Sequence, residues 1–235
     1  MAHLQGEERA RYVQEIFARI ARRYDLMNRL MTLGQDRRWR RHVIRQAQLP
    51  PDGRLLDIGT GTGDIAYEAW RQQPGIRAVA GDFSLAMMLV GKQVARRRGL
   101  QWVGADTLAL PFPANTFHAV TSGFLTRNVG DVRGALCEQR RVTMPGGRVV
   151  ILESSPPKRN LLRPFIVFYL NYVIPMLGRL VTGAADAYRY LPNSTQQFYT
   201  PQALAEHLRQ AGLVDVHYRL FMFGTIAVHV GQKPT

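Results

Sequence analysis

The chain has 235 residues, 46% of them hydrophobic, which is enough for one well-filled core and would leave a second independent domain cramped, so one domain with appendages is expected. Lysine and arginine number 31 against 17 acidic residues, and the resulting +14 favours partners that carry phosphate, whether nucleic acid or anionic lipid. One cysteine, Cys137, excludes an internal disulfide and a cysteine-based metal cluster; His118, His207, His217 and His229 lack ligand spacing, so no metal is expected.

In chain order, MAHLQGEERARY carries charges where a secretion signal needs an apolar core, which reads as retention in the cytoplasm. Residues 7–23 and 36–48 place Tyr12, Ile16, Ile20 and then Trp39, Val43, Ala47 at helical spacing, with the apolar-polar mix DLMNRLMTLG between them. These form an N-terminal helical cap over 1–49. Pro50-Pro51-Asp52-Gly53 ends it, and RLLDIGTGTGD follows as a buried strand entering a glycine-rich turn. Strand-like runs at 76–82, 100–106, 117–123 and 147–154 then alternate with helical stretches near 63–73, 84–98 and 131–141. Such alternation predicts an α/β fold with a doubly wound, mostly parallel sheet, because parallel strands require crossovers. The cofactor-binding core is expected over 50–155.

The segment LLRPFIVFYLNYVIPMLGRL lies within an expected lid over 156–199. Arg163, Pro164, Asn171, Pro175 and Arg179 interrupt it, so two short helices are predicted rather than a span, which needs about 20 apolar residues. Phe165, Phe168, Tyr169, Tyr172 and Met176 could line an apolar trench, touch a membrane surface peripherally, cover the sheet or form a homodimer contact. A helix at 201–211 and the runs LVDVHYRLF and TIAVHV predict that 200–235 completes a seven-stranded sheet with an antiparallel hairpin. The basic pairs Arg22-Arg23, Arg37-Arg38, Arg40-Arg41 and Arg140-Arg141, with the run Arg96-Arg97-Arg98, form either a solvated surface or a partner footprint. They make no long basic tail, which argues against nucleic acid.

Gly59, Gly61 and Gly63 sit in DIGTGTGD, where an open parallel sheet binds its ligands. A dinucleotide site would want a third glycine at position 64, where this chain has Asp64. A loop flanked by Asp57 and Asp64 suits instead the cationic end of S-adenosylmethionine. Asp82, about 20 residues further on, can accept both ribose hydroxyls, with Phe83 beside it. Asp106 could accept from the adenine amine and the Thr107 amide could bind the ring, although an acid at a strand end is often only a cap or turn former.

The stretches FARIARRYDLMNRLMTLGQDRRWRR, LDIGTGTGD, LPFPANTFHAVTSGFLTRNV, MPGGRVVILES and AYRYLPNS resemble the ubiquinone and menaquinone biosynthesis C-methyltransferases. The resemblance covers nearly the whole chain and implies transfer of a methyl group from S-adenosylmethionine to a ring carbon of a prenylated hydroquinone. It maps cofactor contacts onto Thr62, Asp82, Asp106 and Thr107, with Ser122-Gly123 beneath the methionine portion. The family pattern FG(I/L)RNV reads FLTRNV here, LEFSKP reads LESSPP, and GDAESYRYLPES reads GAADAYRYLPNS. These departures lie on the substrate side and leave open another small aromatic substrate, or a cofactor-binding homologue without catalysis.

Carbon methylation needs a phenol that loses its proton, hence a base or a nearby cation. Arg127 is read as the electrostatic stabiliser of the phenolate, against the alternative of a surface ion pair with Asp131. Asn128 would orient the ring, and Tyr188, Arg189 and Tyr190 would close from the lid. His229 matches a histidine the family carries in its last strand and is a second choice for proton acceptor.

Overall fold

The computed structural model describes residues 6–94, 99–158 and 160–235. The arginine run 96–98 and the end of the helix expected to reach 98 lie outside these residues, as does the side chain of Arg189.

The cap consists of α1 (Gly6–Ile20), a 3-10 turn, α2 (Tyr24–Thr32) and α3 (Asp36–Ala47). The mixed segment between the two expected helices is thus itself helical, with Met27 buried on one face of α2. Then come β1 (Arg54–Ile58), α4 (Asp64–Gln72), β2 (Arg77–Asp82), α5 (Leu85–Gln93), β3 (Gln101–Gly104), β4 (Phe117–Gly123), α6 (Val132–Val142) and β5 (Thr143–Ser154). Asp106 lies two residues past β3, in a turn that its own carboxylate closes by accepting the Leu108 N–H at 2.9 Å.

The lid contains α7 (Arg163–Phe168), a π-helical turn (Tyr169–Val173), α8 (Ile174–Thr182) and α9 (Ala185–Gln196); α10 (Pro201–Gln210), β6 (Val214–Phe221) and β7 (Ile226–Gln232) close the chain. The two short lid helices expected from the interruptions join into one 20-residue helix, Arg163–Thr182, long and apolar enough to cross a membrane by length and composition. The wider π turn just before Pro175 is the physical reason: it absorbs a residue that cannot donate a backbone hydrogen bond, so the helix continues.

The sheet order is β3-β2-β1-β4-β5-β7-β6, with β7 antiparallel to both neighbours and the other pairings parallel. Order reverses between β1 and β4, so the crevice beyond their carboxyl ends is the natural ligand site. On one face Trp39, Val43 and Ile44 of α3 pack with Leu55, Val150 and Val228; on the other Leu56, Ile58, Phe117 and Val120 form a second cluster. A separate small core joins cap to lid, through Ile16, Ile20 and Met27 against Ile174, Ala187 and Tyr188.

Candidate active site

The turn after β1 is shaped by its glycines. Gly59, Gly61 and Gly63 have φ of +67°, +60° and +88°, a region that L side chains rarely adopt. A Cβ on Gly59 would also stand 2.9 Å from the Leu125 side chain. The turn is braced from below by Asp57, which is fully buried and accepts from Thr60 Oγ1 at 2.6 Å and Thr121 Oγ1 at 2.8 Å. Burial pushes the Asp57 carboxyl up to about 6, against the opposing pull of those two hydroxyls. From above, Asp82 Oδ2 accepts the Gly61 N–H at 2.7 Å and its Oδ1 the Ser84 N–H at 2.6 Å. Burial raises this carboxyl too, while the backbone donors oppose the rise.

Beyond these strand ends lies a cavity of about 740 Å³. Of the residues proposed from sequence, Gly59, Gly61, Asp82, Phe83, Asp106, Thr107, Gly123 and Asn128 line it. Two hydroxyls on its wall, Ser84 Oγ and Thr107 Oγ1, are buried without a hydrogen-bond partner, so the wall holds polar capacity that a bound nucleoside would satisfy. Around the rest run Val13, Phe17, Tyr24, Met87, Phe124 and Leu125, an apolar chamber suited to an aromatic ring.

Other sequence candidates sit outside the lining. Asp57 supports the loop instead of facing a ligand, and Asp64 pairs with Arg40 at 2.6 Å, so these two acids do not form the anionic flank expected to receive the cationic end of the cofactor. Thr62 Oγ1 donates to Asp25 Oδ1 at 2.6 Å, tying the turn to α2. Gly63 makes room for Trp102, whose ring a Cβ would meet at 2.6 Å. Ser122 is fully buried under the sheet end.

Arg127 is buried and forms an ion pair with Glu153, not with Asp131, which caps α6 by accepting from Gly134. Its guanidinium lies 5.3 Å from the centre of the Phe124 ring, so it stands behind the cavity wall. Asn128 is held in that wall at both ends: its Nδ2 donates to Phe124 O at 3.0 Å, and its Oδ1 accepts from Tyr190 at 2.9 Å. Tyr190 is therefore the lid tyrosine that reaches the site. Tyr188 is fully buried against Gly178 in the cap–lid core, and burial raises its hydroxyl well above the ordinary value.

His229 has to be withdrawn as a proton acceptor. It lies on β7 opposite Ile151 and Tyr218, 1% exposed, with Nε2 2.8 Å from the Pro201 carbonyl oxygen. A carbonyl only accepts, so Nε2 carries the proton of a neutral ring, and burial pushes the imidazole down to about 4. Conversely, sequence reading overlooked Tyr24 and Gln14, because nothing in one sequence says that a cap helix roofs a distant strand end. Gln14 Nε2 donates to Phe83 O at 3.3 Å across the cavity rim.

A family model described as the ubiE/COQ5 methyltransferase family matches residues 4–233. The chain belongs to the ubiE/COQ5 methyltransferase family. A ubiquinone/menaquinone biosynthesis C-methyltransferase from Desulfotalea psychrophila is 48% identical, covering 94% of this chain and 90% of that one. A demethylmenaquinone methyltransferase from Thermus thermophilus is 43% identical, covering 93% of this chain and 100% of the other. Among solved structures, a phosphoethanolamine N-methyltransferase from Haemonchus contortus bound to S-adenosylhomocysteine has a TM-score of 0.62 at 16% identity, over 84% of this chain and 53% of its own. That last likeness concerns the fold alone. This ubiE/COQ5 methyltransferase is an enzyme that uses S-adenosylmethionine, and the cavity at the β1–β4 switch point, with Asp82 and the partnerless wall hydroxyls, fits that cofactor.

Proposed function

We propose that the enzyme methylates a ring carbon of a prenylated hydroquinone, as in menaquinone or ubiquinone biosynthesis. The observation that carries this reading is one cavity in which a polar nucleoside wall, with Asp82 and Thr107, adjoins an apolar chamber beside Asn128. S-adenosylmethionine, when bound, supplies a methyl group already activated by its sulfonium. Asp82 would accept the ribose hydroxyls, Asp106 and Thr107 would hold the adenine, and the Gly59–Gly61 backbone would leave room for the methionine portion. The remaining tasks of the chain are to align the ring and exclude water. Phe17 and Tyr24 exclude water from the cap side, while Asn128, fixed by Phe124 O and Tyr190, aligns the ring hydroxyl. Arg127 is assigned as a positioning residue. Its ion pair with Glu153 and the Glu153 contact to its own N–H fix the turn that presents Asn128, and its positive charge acts on Tyr24 through the wall.

The prenyl tail and the lid belong to the same reading. Phe165, Phe168, Tyr172, Met176 and Leu180 recur at helical spacing on the outer face of Arg163–Thr182, all more than half exposed, while Ile174 and Gly178 face inward. We assign this stripe to peripheral contact with the bilayer that holds a polyprenyl tail, in preference to a homodimer seam. The deciding test incubates purified enzyme with methyl-labelled S-adenosylmethionine and demethylmenaquinol or its ubiquinone-pathway counterpart. Label is expected in the lipid extract; its absence there, with turnover of tail-free phenols, would reject the prenylated substrate.

A further inference from the structure

A second hollow, of about 220 Å³, opens between the outer face of α3 and the edge strand β6, and shares no lining residue with the cofactor cavity. It is lined by Arg38, Arg41, His42, Arg45, Arg219 and Phe221. Arg38, Arg41 and Arg45 recur every three or four residues, which stacks them on one helical face, and all four arginines are exposed. Among the described residues none of the four takes part in an ion pair. Arg40, one position away but facing inward, bridges both Asp36 and Asp64 at 2.8 and 2.6 Å, so the helix spends its nearby acids on the core side.

Converging like charges on one helix face repel one another, and a bound anion turns that repulsion into attraction. Phe221 anchors the far wall: the Arg219 guanidinium lies 5.5 Å from its ring centre and the His42 ring 5.2 Å away, edge-on. Burial first, and then the charges of Arg219 and Arg45, hold His42 below the ordinary histidine value.

We propose that this hollow binds a phosphate group, either free or esterified in a lipid headgroup. Guanidinium forks match phosphate oxygens in pairs, and the volume admits a phosphate or diphosphate. Nucleic acid is disfavoured, because the arginines converge on one point instead of tracking a groove and the single aromatic ring already carries Arg219.

The test uses the full-length protein with two probes: sodium pyrophosphate titrated at constant ionic strength, and phosphatidylcholine vesicles with and without phosphatidylglycerol. The variant is R45A/R219A, compared with R37A/R77A, which removes two exposed arginines outside the hollow. S-adenosylhomocysteine affinity, measured in parallel, verifies that each variant keeps its cofactor cavity. At least a tenfold loss of pyrophosphate affinity confined to R45A/R219A identifies a free-phosphate site. The same loss in anionic-vesicle partition alone identifies a headgroup site. Equal losses in both variants, no loss in either assay, or tighter arginine-dependent binding of single-stranded RNA than of both probes would overturn the proposal.

Discussion

Two side chains show how the same buried setting serves different ends. Asp82 satisfies two backbone donors of the turn and still lines the cavity, so D82N should leave one N–H facing an amide donor and lose the charge that receives the ribose. A charged hydrogen bond is worth about 1.5–3 kcal/mol, so S-adenosylhomocysteine affinity should fall roughly ten- to a hundredfold by calorimetry. Unchanged affinity would remove Asp82 from the site. His229 makes the opposite prediction. Its imidazole is held down to about 4, so below the unfolded value near 6.5 the unfolded chain binds the proton and the native one does not. Stability is therefore unaffected by this group above about pH 6.5 and declines as pH falls from there toward 4, by up to about 3 kcal/mol. In H229Q that part of the acid decline should vanish from denaturant melts at pH 7, 5.5 and 4, while kcat at neutral pH stays near the wild-type value.

Among elements, the turn after β1 and the turn after β4 fit against each other through Gly59 and Leu125. G59A should clash with Leu125 and force a left-handed alanine; pairing it with L125A removes the clash but not the backbone strain. Cofactor affinity should thus fall sharply in G59A and recover only partly in the double variant, and full recovery would show that backbone conformation matters less than space. The alternation of apolar strands and helices made the parallel sheet legible, and the acids and glycines at strand ends marked the cofactor wall. What escaped was geometry between distant segments. A sequence shows that Asp57 follows two buried leucines but not that Thr60 and Thr121 both point at it, and it shows Tyr188 and Tyr190 as equals although only the latter reaches Asn128. Likewise Pro175 reads as a helix breaker, and only the π turn reveals that the helix continues through it.

At the scale of the whole molecule, basic charge and an apolar outer helix lie on one protein, which suits a bilayer of anionic lipid. Replacing Phe165, Phe168 and Leu180 together by serine should lower recovery with floated vesicles several-fold. It should leave turnover of a tail-free quinol close to normal, since none of the three lines the cavity. Equal flotation of variant and wild type would send the stripe back to a protein partner. The sheet and the roof above it have distinct apolar nuclei, the latter built jointly from the first helices of the chain and from a segment some 150 positions later. A canopy made that way is one packed unit drawn from both ends of the chain, so a substitution that loosens either segment loosens the cover over the cavity as a whole.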